Sequence, residues 1–227
     1  MGDSVEANFR ELHAAMLDES NETGAVSYGT RAKLALEETF WGEDYEDVIP
    51  TEVFDAFLWT FNDELFKTCA LKTAHLCDFS WKDRLVEAVQ SLDTTSHPDM
   101  SDSDPFATWV HDSLGTDLEN ELSQRDPDDG DESGVMAGFS CHQSLCCHLW
   151  GFEFDSDAET EKDVDFGPDD WDSAFFSSIA VAHGAEWVEG KILDNEARTE
   201  FWKWYVTEAV PHAFNFAVSC VGLDELD

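Results

Sequence analysis

Residues 51–70 read TEVFDAFLWTFNDELFKTCA, and the spacing of their apolar side chains decides the fold class. Phe54, Phe57, Leu58, Phe61, Leu65 and Cys69 recur every three or four residues, so on a helix they share one wide face. A face that wide must be largely buried. The run follows Pro50, with Thr51 placed to cap its first turn.

The same period extends outward in both directions. Upstream, Val5, Phe9, Leu12 and Met16 fall on one face, with Asp3 or Ser4 as N-cap, and a second helix opening at Thr30 carries Leu34 and Ala35. Downstream, Ser80 and Asp83 have capping-box spacing ahead of Trp81, Leu85, Val89 and Leu92. Asp104 and Pro105 form an N-cap and first-turn pair leading to Phe106, Trp109, Val110 and Leu114. Residues 134–150, GVMAGFSCHQSLCCHLW, are small and apolar over a length that suits a buried helix. Asp169 or Asp170 is expected to cap WDSAFFSSIAVAH, with Gly184 just past its end. A last helix opens near Asn195, runs through EARTEFWKWYVTEAV, and is expected to end or kink at Pro211. Nothing alternates apolar and polar well enough to form a sheet. The fold expected is all-α: a single compact bundle of about eight helices over residues 1–227. Two acidic loops interrupt it, QRDPDDGDESG at 124–134 and another at 155–170.

The chain carries 51 Asp and Glu against 12 Lys and Arg, a formal charge of −39. So much like charge usually signals disorder, but 42% apolar residues, 9 Trp and 17 Phe supply enough surface to bury. No basic run exists, which excludes the Lys and Arg contacts that neutralise nucleic-acid phosphates or an anionic membrane surface. No stretch approaches the roughly 18 apolar residues of a membrane span, and the N-terminus lacks a signal peptide's basic and apolar regions. These features predict a soluble, cytoplasmic protein. The acids are either a functional surface, such as a docking face for a basic partner, or an adaptation to concentrated salt. Their even spread favours the second, a halophilic surface.

Three constellations could carry chemistry. Cys141, His142, Cys146, Cys147 and His148 are zinc-ligand types; His142 and Cys146 share a helix face, but Cys147 lies well off it. A four-ligand site would need His75 and Cys77 as well, and cysteine packing as a small hydrophobe explains the cluster without metal. No metal and no other cofactor is therefore expected. A thiol nucleophile is disfavoured because the adjacent pairs Cys141/His142 and Cys147/His148 point about 100° apart on a helix. The acidic run from Asp155 to Asp165 lacks the Gly and Glu of a calcium loop. Finally, Phe201, Trp202, Trp204 and Tyr205 make a helix apolar on nearly all sides, either central to the core or showing an aromatic face to a partner.

The text from Asp169 to Trp187, DDWDSAFFSSIAVAHGAEW, and from Glu196 to Pro211, EARTEFWKWYVTEAVP, resembles the closing region of the fifth immunity-protein family of polymorphic toxin systems. The likeness runs mainly from Gly134 to Pro211. It implies an all-helical, non-enzymatic protein that binds and neutralises a toxin or another protein partner. Trp171, Asp172, Trp202, Trp204 and Glu208 are carried over as signature positions. The alternative from the residues alone is a small metal-dependent helical enzyme using His75, His142 and His148. The partner's identity, the binding face and the oligomeric state are not encoded in any motif.

Overall fold

The computed structural model describes residues 2–41, 50–95, 98, 104–125, 132–155, 171–182 and 194–223. Among them there is no strand, and eight helical stretches run seven residues or longer. The helices are α1 (Gly2–Thr23), α2 (Tyr28–Ala32), α3 (Glu37–Trp41), α4 (Thr51–Thr73), α5 (Lys82–Gln90), α6 (Pro105–Thr108), α7 (Gly115–Leu122), α8 (Ser133–Trp150), α9 (Ser173–Val181), α10 (Asn195–Trp204) and α11 (Val210–Val221). Most of residues 124–134 and 155–170, and Gly184, lie outside the described residues.

Two apolar clusters make the interior. One gathers α5, α7, α8 and α9 around residues such as Phe79, Leu118, Phe139 and Phe176. The other packs α1, α10 and α11 on the first half of α4, where Phe9, Met16, Phe57, Phe61 and Trp202 are buried. The predicted α4 face is buried as expected, with Leu58 half-exposed at its margin.

Where α4, α8 and α9 meet, the interface is small and polar. Ser140 Oγ lies 2.9 Å from Ser173 O and 2.7 Å from the hydroxyls of Ser173 and Ser177. Ser173 and Ser177 in turn donate to the α4 carbonyls of Phe66 and Cys69. Short hydroxyl side chains let the helix backbones approach closely, and each finds a partner, as burial requires. Gly138 allows a close approach to other neighbours of α8: a Cβ there would sit 2.5 Å from Leu118 Cδ2 of α7 and 2.9 Å from the Phe79 ring.

Several caps differ from their expected places. Pro50, which offers no side-chain cap, precedes α4, so Thr51 begins the helix instead of capping it. Ser80 and Asp83 make no capping box, because α5 starts after Trp81 without a side-chain cap. Asp3 and Ser4 lie inside α1, and Ser27, three residues before Thr30, caps α2 through Thr30 N–H. Asp104 caps α6 as predicted, accepting from Phe106 and Ala107 N–H. Asp172, not Asp169 or Asp170, caps α9 by accepting from Phe175 N–H at 3.0 Å.

Pro211 neither ends nor breaks its helix. Residues Tyr205–Ala209 widen into a π-helical turn in which Val210 N–H reaches back five residues to Tyr205 O. The next carbonyl, Val206 O, would look to Pro211, which has no N–H to give. His13 of α1 supplies the missing donor, its Nε2 lying 2.8 Å from Val206 O. A backbone defect on one helix is thereby repaired by a side chain from another, and α11 continues to Val221.

Candidate functional site

The five signature positions divide by burial. Trp171, Asp172 and Trp202 are at most 1% exposed, so they belong to the core of the scaffold. Asp172 forms a buried ion pair with Arg31 of α2: Nη2 and Nε lie 2.8 and 2.9 Å from Oδ2. Arg31 Nη1 donates to Val26 O at 2.6 Å. The guanidinium lies 5.0 Å from the centre of the Trp202 ring, within range of a cation–π contact. One carboxylate thus neutralises Arg31 through Oδ2 and caps α9 through Oδ1. Trp204 is half-buried with Lys72 Nζ over its ring at 4.4 Å, and Glu208 is exposed. The core reading of the Phe201 to Tyr205 cluster therefore wins for Phe201, Trp202 and Tyr205, leaving Trp204 at the surface.

The four candidate metal ligands do not gather. His75 is exposed, Cys77 is buried against Cys141, and the contact that forms is His142 Nε2 with Cys146 Sγ at 3.3 Å. Among the described residues no group of three or more His, Cys, Asp and Glu side chains is arranged to hold a metal ion. The histidines of the enzyme reading diverge as well. His142 faces Gly115 of α7, whereas His148 faces α4, its Nδ1 2.6 Å from Asp63 Oδ2. Burial pushes the thiols of Cys69 and Cys147 well up; the Cys77 contact, together with burial, does the same for Cys141. These three sulfurs are thiols, not nucleophilic thiolates.

Asp63 is fully buried, and desolvation raises its carboxyl above the ordinary carboxylate range against the pull of His148. A raised folded-state value means that the native state holds this proton more tightly than the unfolded chain does. Asp63's contribution to stability is complete below the unfolded value near 4 and is lost as pH rises through the folded one. Asp63→Asn is therefore expected to flatten the stability profile above pH 4 and to cost less at pH 7 than at pH 4. His148→Ala, which strands the carboxylate, is expected to cost about 3 kcal/mol. Urea midpoints across pH 4–8 check this, and a larger loss in Asp63→Asn at pH 7 than at pH 4 would contradict it.

The exposed apolar surface lies elsewhere. α8 ends at Trp150, and Gly151, at φ +79°, turns the chain into a strap, Gly151–Asp155. A Cβ at Gly151 would also come 3.2 Å from the Trp59 ring. Phe152 packs on Phe66, and Phe154 on Tyr28, with ring centroids 5.1 and 5.3 Å apart. Tyr28 Oη accepts from Asp155 N–H at 2.7 Å; burial pushes that phenol up to about 12. Among the described residues the large hydrophobic side chains left exposed are Trp150, at 48%, and Leu36, at 38%. Both border the strap. Grooves of about 410 Å³ and 510 Å³ meet at Trp150, and a third of about 400 Å³ runs between the strap and Leu36. Sequence reasoning missed this face, since WGFEF is too short to show a period.

A family model described as Immunity protein Imm5 matches residues 69–212, more than half of the chain. The chain belongs to that immunity-protein family. No curated protein matches it. The Imm5 match starts well before Gly134, in the second half of α4, and so takes in the α4, α8 and α9 junction as well as Trp171, Asp172, Trp202, Trp204 and Glu208. Arg31 lies before it, so the buried ion pair ties the flanking N-terminal helices to the Imm5 segment. Family membership implies a toxin-immunity role and a protein partner such as a toxin. No helix among the described residues is long and apolar enough to cross a membrane.

Proposed function

We propose that this chain neutralises a toxin without catalysis, by binding it through the face made of Trp150, the strap 151–155 and Leu36. The observation that carries the reading is the exposure of Trp150 and Leu36 on either side of one strap, in a molecule whose other described large apolar side chains are buried or partly buried. Clustered exposed apolar side chains bordered by polar ones mark protein-binding sites, and tryptophan is the commonest anchor of such interfaces. Asp55, Glu119 and Glu153 supply the polar border. The three buried signature residues hold the scaffold that presents this face.

The test is protection by Trp150→Ala in cells expressing the cognate toxin, with affinity measured on the purified pair in molar KCl. Loss of about 2 kcal/mol, roughly thirtyfold in Kd, is expected for an anchor of this kind, with unchanged circular dichroism. Trp204→Ala, on another surface, should protect fully. Full affinity in Trp150→Ala would overturn the proposal.

A further inference from the structure

The 510 Å³ groove beside Trp150 has a chemical character of its own. α7 contributes Gly115, Thr116 and Glu119; α8 and the strap contribute His142, Gln143, Cys146, Trp150 and Glu153. Its floor is polar although buried, with His142 and Gln143 only 3% and 1% exposed. Its rim carries an exposed indole and two exposed carboxylates from different elements. None of the described residues lining it is Lys or Arg; its histidines are His142 on the floor and His111 on the rim, whose ring meets Trp150 edge-on with centroids 5.8 Å apart.

We infer that this groove receives an arginine side chain from a basic segment of the protein partner, an inference that rests on the toxin-binding reading above. Three features point to a guanidinium in particular. Its planar face stacks on an indole, which a hydrated ammonium does less well. Its five donors match carboxylates approaching from more than one direction, and Glu119 and Glu153 offer such acceptors. Trp150 and Phe152 in its lining offer apolar surface along which the aliphatic stem can lie. The wider acidity of the chain would attract any cation, but it supplies neither an aromatic wall nor a polar floor.

The test needs no toxin. Purified full-length protein in molar KCl is titrated with the peptide Ac-Gly-Arg-Gly-NH₂ and with its citrulline counterpart, which keeps the shape and loses the charge, while amide and indole signals are followed by NMR. The arginine peptide is expected to shift the Trp150 indole and the amides of Gly115 and Gly151 saturably in the millimolar range. Citrulline should bind at least tenfold more weakly. Glu119→Gln and Glu153→Gln should each weaken binding about threefold, and Trp150→Ala should abolish the saturable shifts. Shifts spread over the acidic surface, or an equal response to citrulline, would overturn the inference. The two proposals fail separately. If toxin binding depends on Trp150 but the peptide ignores the groove, the arginine assignment falls alone. If the peptide binds there but toxin affinity is unchanged in Trp150→Ala, the toxin-binding face is wrong.

Discussion

Asp172→Ala is expected to cost about 3–5 kcal/mol, enough to bring a domain of ordinary stability close to unfolding. The substitution leaves the Arg31 guanidinium, 1% exposed, in a site walled by Trp202 and Tyr28 with no carboxylate to neutralise it. Removing one partner of a buried pair is much costlier than removing both, because the survivor keeps its desolvation penalty. The cap on α9 is lost as well, worth about 1 kcal/mol more. Asp172→Asn separates the two effects: it keeps an oxygen for Phe175 N–H but not the charge, so it should recover the cap and little else. The double variant Arg31→Met, Asp172→Leu should lie well above Asp172→Ala, since it leaves no buried charge. Urea denaturation at fixed high KCl measures all of these. An Asp172→Ala within 1 kcal/mol of the parent would show that the pair does not hold α2 to α9.

Much of this was legible in the sequence, and the losses have physical causes. The faces of α1, α4, α5 and α10 were visible because each repeats its apolar residues at helical period. Asp104 was visible as a cap because Pro105 follows it. The caps at Thr51, Ser80 and Asp169 or Asp170 were misplaced because several oxygen-bearing residues stand near each start, and local sequence does not say which backbone turn closes first. Pro211 was expected to end or kink its helix on local grounds; the helix instead widens into a π-helical turn and continues, and the repair comes from His13, nearly two hundred residues away. The residues carried over from the family resemblance came without roles, since a conspicuous Trp or Asp reads alike in a core and at an interface. The strap was invisible because five residues carry no pattern and its place is set by Trp59, Phe66 and Tyr28, far away in sequence. His142 and Cys146 were seen to share a face, but the groove they border is closed by α7 and the strap.

The remaining large effect concerns the solvent. The chain is expected to lose helicity when dialysed from molar KCl into dilute buffer, with its urea midpoint falling steadily as salt is withdrawn. A formal charge of −39 cannot be offset within the surface, because the few bases are partly committed. Arg31 is buried, while Arg10 and Arg125 already hold Glu6 and Asp78. At 1 M salt the Debye length is about 3 Å and neighbouring acids scarcely feel each other; at 0.01 M it is about 30 Å, and every carboxylate repels most of the others. Two controls separate this repulsion from other effects of salt. Lowering the pH towards 4 neutralises carboxylates without adding ions, so it should restore helicity at low salt. Asp172→Ala should stay about as far below its parent at every KCl concentration, because its unpaired charge lies beyond the reach of bulk ions. Unchanged helicity in dilute buffer would mean that the acids are placed for a partner and not for the solvent, and would strengthen a basic toxin as that partner.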